Sequence, residues 1–371
     1  MSDAPPPGER PRIDRPPGKT PRHRPRSDGL YAALDLGTNN CRLLIAERSP
    51  GGFRVVDAYS RIVRLGEGLS QTGRLQPAAM DRAVAALKVC GDRIRRRGQV
   101  RVRAIATQAC RAALNGAEFL DRVQRESGLR LEIITPKEEA RLSVAGSVNL
   151  LDRTGRAALV LDVGGGSTEL SWLDLEGSKN SGGGAQPIHA WLSIPIGVVT
   201  LAERFPETRA GDPAWFRAMV EAMKVPIAAF DSANGLRPVF DAGEAHLIGT
   251  SGAITSLAGL YLGLPRYDRS KVDGLWLTRG DCDAMADRLL KLAPAQRAAQ
   301  PCIGPDRADL VLAGAAILQA VQELWPCDRV RVADRGLREG VLLSMMAEHT
   351  GTRRSRRRRR GAASRQAQAA A

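Results

Sequence analysis

The stretch LVLDVGGGSTEL, residues 159–170, climbs through apolar residues to an aspartate, passes three glycines, and returns through two hydroxyls and a carboxylate. Three consecutive glycines carry an entropic cost that a plain connection need not bear. At a strand end, their backbone N–H groups can converge on one point as an anion nest. Ser167 and Thr168 add hydroxyl donors at the same place. Asp162, closing a buried strand, suits a hydrated cation. Glu169 follows seven residues later, where a returning strand brings it back beside Asp162. The spacing predicts a phosphate on Gly164, Gly165, Gly166 and Ser167, with Mg2+ at Asp162 and Glu169. A tight hairpin is the competing reading.

Residues 35–40, DLGTNN, offer a second version of the device. Asp35, Thr38, Asn39 and Asn40 also form ordinary turns readily. The pairing with the later copy makes Gly37, Thr38 and Asn39 a second phosphate clamp, with Asp35 as a further candidate for the cation. In TPKEE, Thr135 and Glu138 have the spacing of a capping box, and Pro136 takes the first helical position. Glu138 thus has a local task. Glu139 points about 100° further around the helix, as a surface carboxylate near a helix N-terminus or as a general base that activates water. Arg111 follows a buried strand in ATQACRAALNG, a place for a phosphate fork. LIGTSGAITSLAGL repeats the strand–glycine–helix pattern, so Gly249, Thr250, Ser251 and Gly252 hold another phosphate or a nucleoside, or simply start a helix. No G-x-x-x-x-G-K-[ST] occurs, which excludes a P-loop NTPase. The four histidines (His23, His189, His246, His349) lie outside every motif.

The elements around these residues alternate between strand and helix, which predicts an α/β protein. YAALDLG, CRLLIAE and GGFRVVDAYS read as three strands, VRAIAT and LRLEIIT as two more. AMDRAVAALKVCGDRI sets Met80, Val84, Leu87 and Ile94 on one helical face, and AEFLDRVQRESG is a helix ending at glycine. DRADLVLAGAAILQAVQELW, apolar nearly all round, is expected as a buried helix starting at its aspartate. YAALDLGTNNCRLLIAE and ALVLDVGGGSTELSWLD share one plan, which predicts two similar domains facing each other across a ligand cleft. The expected organisation is a disordered arm at 1–28, a first domain at 29–148, a second at 149–350, and a disordered tail at 351–371. The last helix of the second domain is expected to pack back on the first. EGSKNSGGGAQP reads as a surface loop.

The chain of 371 residues has a formal charge of +15 and 43% hydrophobic residues. The charge is mostly in the tails: residues 1–28 carry +3 and residues 351–371, with eight arginines, carry +8. The arginine run is a solvated tail or a site for nonspecific polyanion contact. No apolar run reaches the roughly 18 residues needed to span a bilayer, so no membrane is expected. The six scattered cysteines contain no Cys-x-x-Cys pair, so reduced thiols and a cytoplasmic location are expected.

The ordered series DLGTNNCRLLIA, ATQACRAALN, EEARL, LVLDVGGGSTEL, LSIPIGVVTLAERF, GTSGAITSLAG, RADLVLAGAAIL and ADRGLREGVL resembles the exopolyphosphatase / guanosine pentaphosphate phosphohydrolase (Ppx/GppA) family of the actin-like ATPase superfamily. The resemblance runs from about Tyr31 to about Met346. It implies two ribonuclease-H-like domains with the site between them. It also implies Mg2+-assisted hydrolysis of the terminal phosphoanhydride of polyphosphate or of guanosine pentaphosphate (pppGpp), and often a homodimer. By this resemblance Glu139 is the catalytic glutamate, Asp162 and Glu169 are the cation-linked acids, and Arg111 and Arg42 belong to the phosphate site. Arg307 and Arg338 follow as softer polyanion contacts. The sequence departs in Thr-Pro-Lys before the glutamate pair and in Thr-Asn-Asn after the first glycine. It also ends soon after GLREG, without the helical C-terminal domain of longer members. A phosphotransferase of the same superfamily and a non-hydrolytic (p)ppGpp-binding sensor are the alternatives.

Overall fold

The computed structural model describes residues 29–176 and 188–349. The arm at 1–28, the tail at 351–371 and nearly all of the glycine/serine-rich loop lie outside the described residues. Strands β1 (Leu30–Leu36), β2 (Asn40–Ser49), β3 (Gly52–Ile62), β4 (Val100–Ala106) and β5 (Leu131–Ile133) form one sheet in the order β3-β2-β1-β4-β5. The first three are an antiparallel meander, and β4 and β5 add in parallel. A second sheet contains β6 (Ala157–Val163), β7 (Thr168–Asp174), β8 (Ile188–Ile194), β9 (Ala245–Thr250), β10 (Trp276–Thr278) and β11 (Arg329–Ala333). Its order, β8-β7-β6-β9-β11 with β10 antiparallel at the edge, repeats the plan of the first. Both sheets are ribonuclease-H-like.

The repeat fixes the site through register. The short return between β1 and β2 sets Asp35 opposite Arg42, and the return between β6 and β7 sets Asp162 opposite Glu169. Each acid therefore stands at a strand end beside its turn. One face of the first sheet is covered by helices Pro77–Arg96 and Gly116–Ser127, which bury Val84, Leu87, Ile94, Phe119 and Val123. Met80 is only partly buried. Helix Gly116–Ser127 ends at Gly128 in the left-handed conformation, the termination the glycine predicts.

The apolar helix starts later than the sequence suggests. Val311–Leu324 is helical and buried on nearly all sides, but residues 305–310 form turns. Asp306 and Asp309 are engaged by Arg64 instead of capping the helix. The six cysteines are free and buried.

Helix Pro136–Ser147 joins the two sheets. Its Leu142 packs with Tyr31, Ala33 and Leu44 of the first, and its Val144 with Ala158 and Val160 of the second. The last helix, residues 337–349, sends Val341, Leu342 and Met346 onto the first sheet as well. Glycine permits this approach: a Cβ on Gly340 would lie 1.9 Å from the Leu142 carbonyl oxygen.

Candidate active site

A cavity of about 390 Å3 opens where the strand ends of the two sheets face each other. Its lining includes Asp35, Gly37, Thr38, Asn39 and Arg42 from the first unit. From the second come Asp162, Gly164, Gly165, Gly166, Ser167 and Glu169. Glu139 enters from the joining helix, and Asn40, Thr250, Ser251, Gly252, Arg307 and Arg338 complete the sequence-derived residues present. Thr107, Gln108, Tyr267, Ile303 and Arg335, which no motif reading singled out, also line it.

The glycines of the second loop have a definite reason. A Cβ on Gly165 would lie 3.0 Å from Asn39 N and from Thr38 Cβ, and one on Gly166 would lie 2.6 Å from Thr38 Oγ1. The facing loop of the first unit therefore fills the space a side chain would need. Gly37 and Gly164 use their N–H groups in turns, donating to the carbonyls of Asn40 and Ser167. Among the described residues, the N–H groups of Thr38, Asn39, Gly165, Gly166 and Ser167 have no backbone acceptor. Two short arrays of donors thus face each other across the cleft, the arrangement that binds anions.

Glu139 is buried, not at the surface. Thr135 caps its helix by accepting from Glu138 N at 3.2 Å, but the capping box is only half formed. Glu138 turns its carboxylate to Arg141 and Arg103 instead of back to the cap. Burial raises the pKa of Glu139 well above the carboxylate range, the charge of Glu169 adds to this, and Arg111 opposes it. Burial similarly lifts Asp35 to about 6 and Glu169 to about 7, and it raises Asp162. Ser143, one turn after Glu139, donates to Asp162, and Ser193 donates to Glu169. The i, i+4 spacing of Glu139 and Ser143 was a readable signal for this support; Ser193 had only its place on the neighbouring strand.

Three sequence-derived positions fall outside the cavity. Arg111 does not face it: its guanidinium donates to the Ile134 carbonyl, to Gln108 and to Glu139, so it supports the glutamate from behind. Thr168 is fully buried and donates its hydroxyl to the Ile196 carbonyl. Gly249 is a packing position, where a Cβ would meet Ile254 at 2.7 Å. Arginine is nevertheless plentiful in the cavity, since Arg42 and Arg307 meet beside Gly252 at the start of helix Gly252–Tyr261.

Among the described residues, no three His, Cys, Asp or Glu side chains are grouped as a complete metal cage. The donors present suit a divalent cation that keeps much of its water and binds through one or two carboxylates. Asp162 and Glu169 stand opposite each other in register, and the buried Asp35 Oδ1 has no hydrogen-bond partner among the described residues. Among the described residues, no helix is long and apolar enough to cross a membrane.

Known proteins resemble this chain in sequence and fold. The chain is 31% identical over 327 residues to exopolyphosphatase 2 of Mycobacterium tuberculosis, covering 85% of this chain and 98% of that protein. The crystal structure of the Aquifex aeolicus member of the Ppx/GppA family superposes with a TM-score of 0.68 at 30% identity, covering 86% of this chain and 98% of that one. An exopolyphosphatase from Cytophaga hutchinsonii superposes with a TM-score of 0.75 at 25% identity, again over 86% and 98%. The model of the Ppx/GppA phosphatase family matches residues 44–349, and with two facing ribonuclease-H-like units around an acid- and glycine-lined cleft, the chain belongs to that family.

Proposed function

We propose that the chain is a Mg2+-dependent exopolyphosphatase that releases the terminal phosphate of inorganic polyphosphate, and that pppGpp, which presents the same terminal phosphoanhydride, is also a substrate. The observation that carries this reading is the placement of Glu139. It is buried, held by Arg111, and shares one cavity with both glycine loops and the Asp162–Glu169 pair. Membership of the family and the similarity to exopolyphosphatase 2 support the substrate class.

The residues divide the work. Free N–H groups of the two loops, with Arg42 and Arg307, hold the terminal phosphates and neutralise their charge. Asp162 and Glu169, which share the cavity with Asp35, would hold Mg2+, which when bound screens the charge on the phosphoryl oxygens. Glu139 takes a proton from a water whose oxygen attacks phosphorus in line. The new P–O bond forms as the bridging P–O bond breaks, and the shortened chain leaves with that electron pair. The raised pKa makes Glu139 a stronger base than an exposed glutamate, while Arg111 favours its ionised form. Glu139→Gln keeps the shape and removes the base, so phosphate release from polyphosphate should fall by about 100-fold or more, with an unchanged circular dichroism spectrum. A fully active Glu139→Gln enzyme would eliminate this mechanism.

A further inference from the structure

Between β3 and helix Pro77–Arg96 the chain forms a strap, residues 63–70, that touches both units. Val63 and Leu65 are fully buried in the core of the first unit. Arg64 between them is the one non-glycine residue with positive φ among the described residues, at 46°. That conformation is disfavoured for an arginine. It turns the side chain away from its buried neighbours and across to the second unit. There Arg64 forks onto the Asp309 carboxylate at 2.7 and 3.0 Å and donates to the Asp306 carbonyl at 3.2 Å. Asp306 and Asp309 flank Arg307, which lines the cavity.

The strap has a second anchor. Glu203 of the second unit accepts from Gly68 N at 2.9 Å and from the Ser70 hydroxyl. On its other side the strap holds the first phosphate loop. Val63 N and Arg64 N both donate to the Asn39 carbonyl, and Gly66 N donates to the Thr38 carbonyl, at 2.9–3.0 Å. Gly66 packs so closely on Thr38 that a Cβ would lie 2.2 Å from its methyl group. Thr38 and Asn39 are the residues that meet Gly165 and Gly166 of the opposite loop.

We propose that Arg64 is a positioning residue: its ion pair with Asp309, seconded by Glu203, latches the strap across the cleft and sets Thr38 and Asn39 at their working distance from the second loop. Arg64 touches no reacting atom in this scheme and acts through the carbonyls of Thr38 and Asn39. The disfavoured backbone at Arg64 is maintained because the latch and the two buried neighbours over-determine it. The kinetic part of the proposal rests on the exopolyphosphatase reading; the closure part does not.

The test uses the full chain and substitutions that tolerate positive φ. Asparagine and aspartate both do, so Arg64→Asn and Arg64→Asp remove the pair without forcing the backbone. Expected results are a polyphosphate kcat/KM reduced about tenfold in Arg64→Asn and in Asp309→Asn, no further loss in the double variant, and substantial recovery when Arg64→Asp is combined with Asp309→Arg. Spin labels on exposed sites of the two units should report a wider, longer distance distribution in Arg64→Asn than in wild type. Wild-type kinetics in Arg64→Asn, or additive losses in the double variant, would overturn the latch. If wild type releases no phosphate from polyphosphate, the functional reading fails, and the spin-label comparison alone decides the latch: unchanged distances refute it.

Discussion

Substituting Gly165 by alanine separates stability from activity. Gly165 does not occupy the positive-φ region, so alanine can adopt its backbone. Restricting the unfolded chain in this way typically stabilises a protein by about 0.4–1 kcal/mol. The new methyl group would nevertheless sit 3.0 Å from Asn39 N and Thr38 Cβ and 3.2 Å from Asn39 Cβ. Comfortable contact begins near 3.5 Å, so the two loops must separate by about half an ångström. Two of the three obstructing atoms belong to Asn39, including its backbone nitrogen, so no side-chain rotation relieves the contact.

Because the contact joins two units, the cleft can widen instead of the core distorting. The usual overpacking penalty of about 1–3 kcal/mol should therefore be largely avoided in thermal stability. Catalysis has no such escape. A misplacement of about 1 Å can cost 100-fold, and half of that corresponds to about tenfold in kcat/KM. The assay is initial-rate phosphate release from polyphosphate, paired with calorimetric Tm. Gly280→Ala is the control, since a Cβ on Gly280 would approach Thr278 Oγ1 only to 3.8 Å and the residue lies in helix Arg279–Leu290, away from the cavity. Wild-type kcat/KM in Gly165→Ala would refute the view that direct contact between the loops sets the catalytic geometry.

Two further outcomes follow from the charges. Arg111 lowers the pKa of Glu139, so Arg111→Met should move the acidic limb of the kcat/KM profile to higher pH; an unmoved limb would remove Arg111 from that role. Glu169, raised from 4.5 to about 7, binds its proton more tightly in the folded state than in the unfolded one. In EDTA, folding stability should therefore fall as pH rises from about 4.5 to about 7. The penalty is absent below that window and complete above it. Glu169→Gln should flatten this slope in Tm measured against pH, and an unchanged slope would show that the charge is relieved in another way.

What could be read from the sequence was whatever local geometry dictates. A strand, a short return and a second strand place Asp162 opposite Glu169 without help from the rest of the chain, and the same holds for Asp35 and Arg42. Direction is harder than position. Arg111 sits at the strand end the motif suggests, yet its side chain is claimed by Ile134, Gln108 and Glu139, acceptors brought together only by packing. Thr168 and Gly249 follow the same lesson: hydroxyl and glycine chemistry suggests ligand contact, while the Ile196 carbonyl and the Ile254 side chain occupy those sites.

The strap was not legible at all, because RIVRLGEGLS contains no motif and its partners in the second unit lie more than 130 residues away. Its placement changes the meaning of the glycines in the second loop. Local spacing accounts for Gly164, Gly165 and Gly166 by the approach of a phosphate, or by a tight hairpin. The structure gives Gly165 and Gly166 a second neighbour, the Thr38–Asn39 loop, held in place by strap hydrogen bonds to both of its carbonyls. A substrate phosphate between the two arrays therefore meets donors whose spacing is set by a contact between the two loops made in advance. Such preorganisation lowers the cost of orienting the donors during reaction. In this fold the site's precision depends on loop-to-loop contact and on an ion pair at the rim as much as on the residues that touch phosphate.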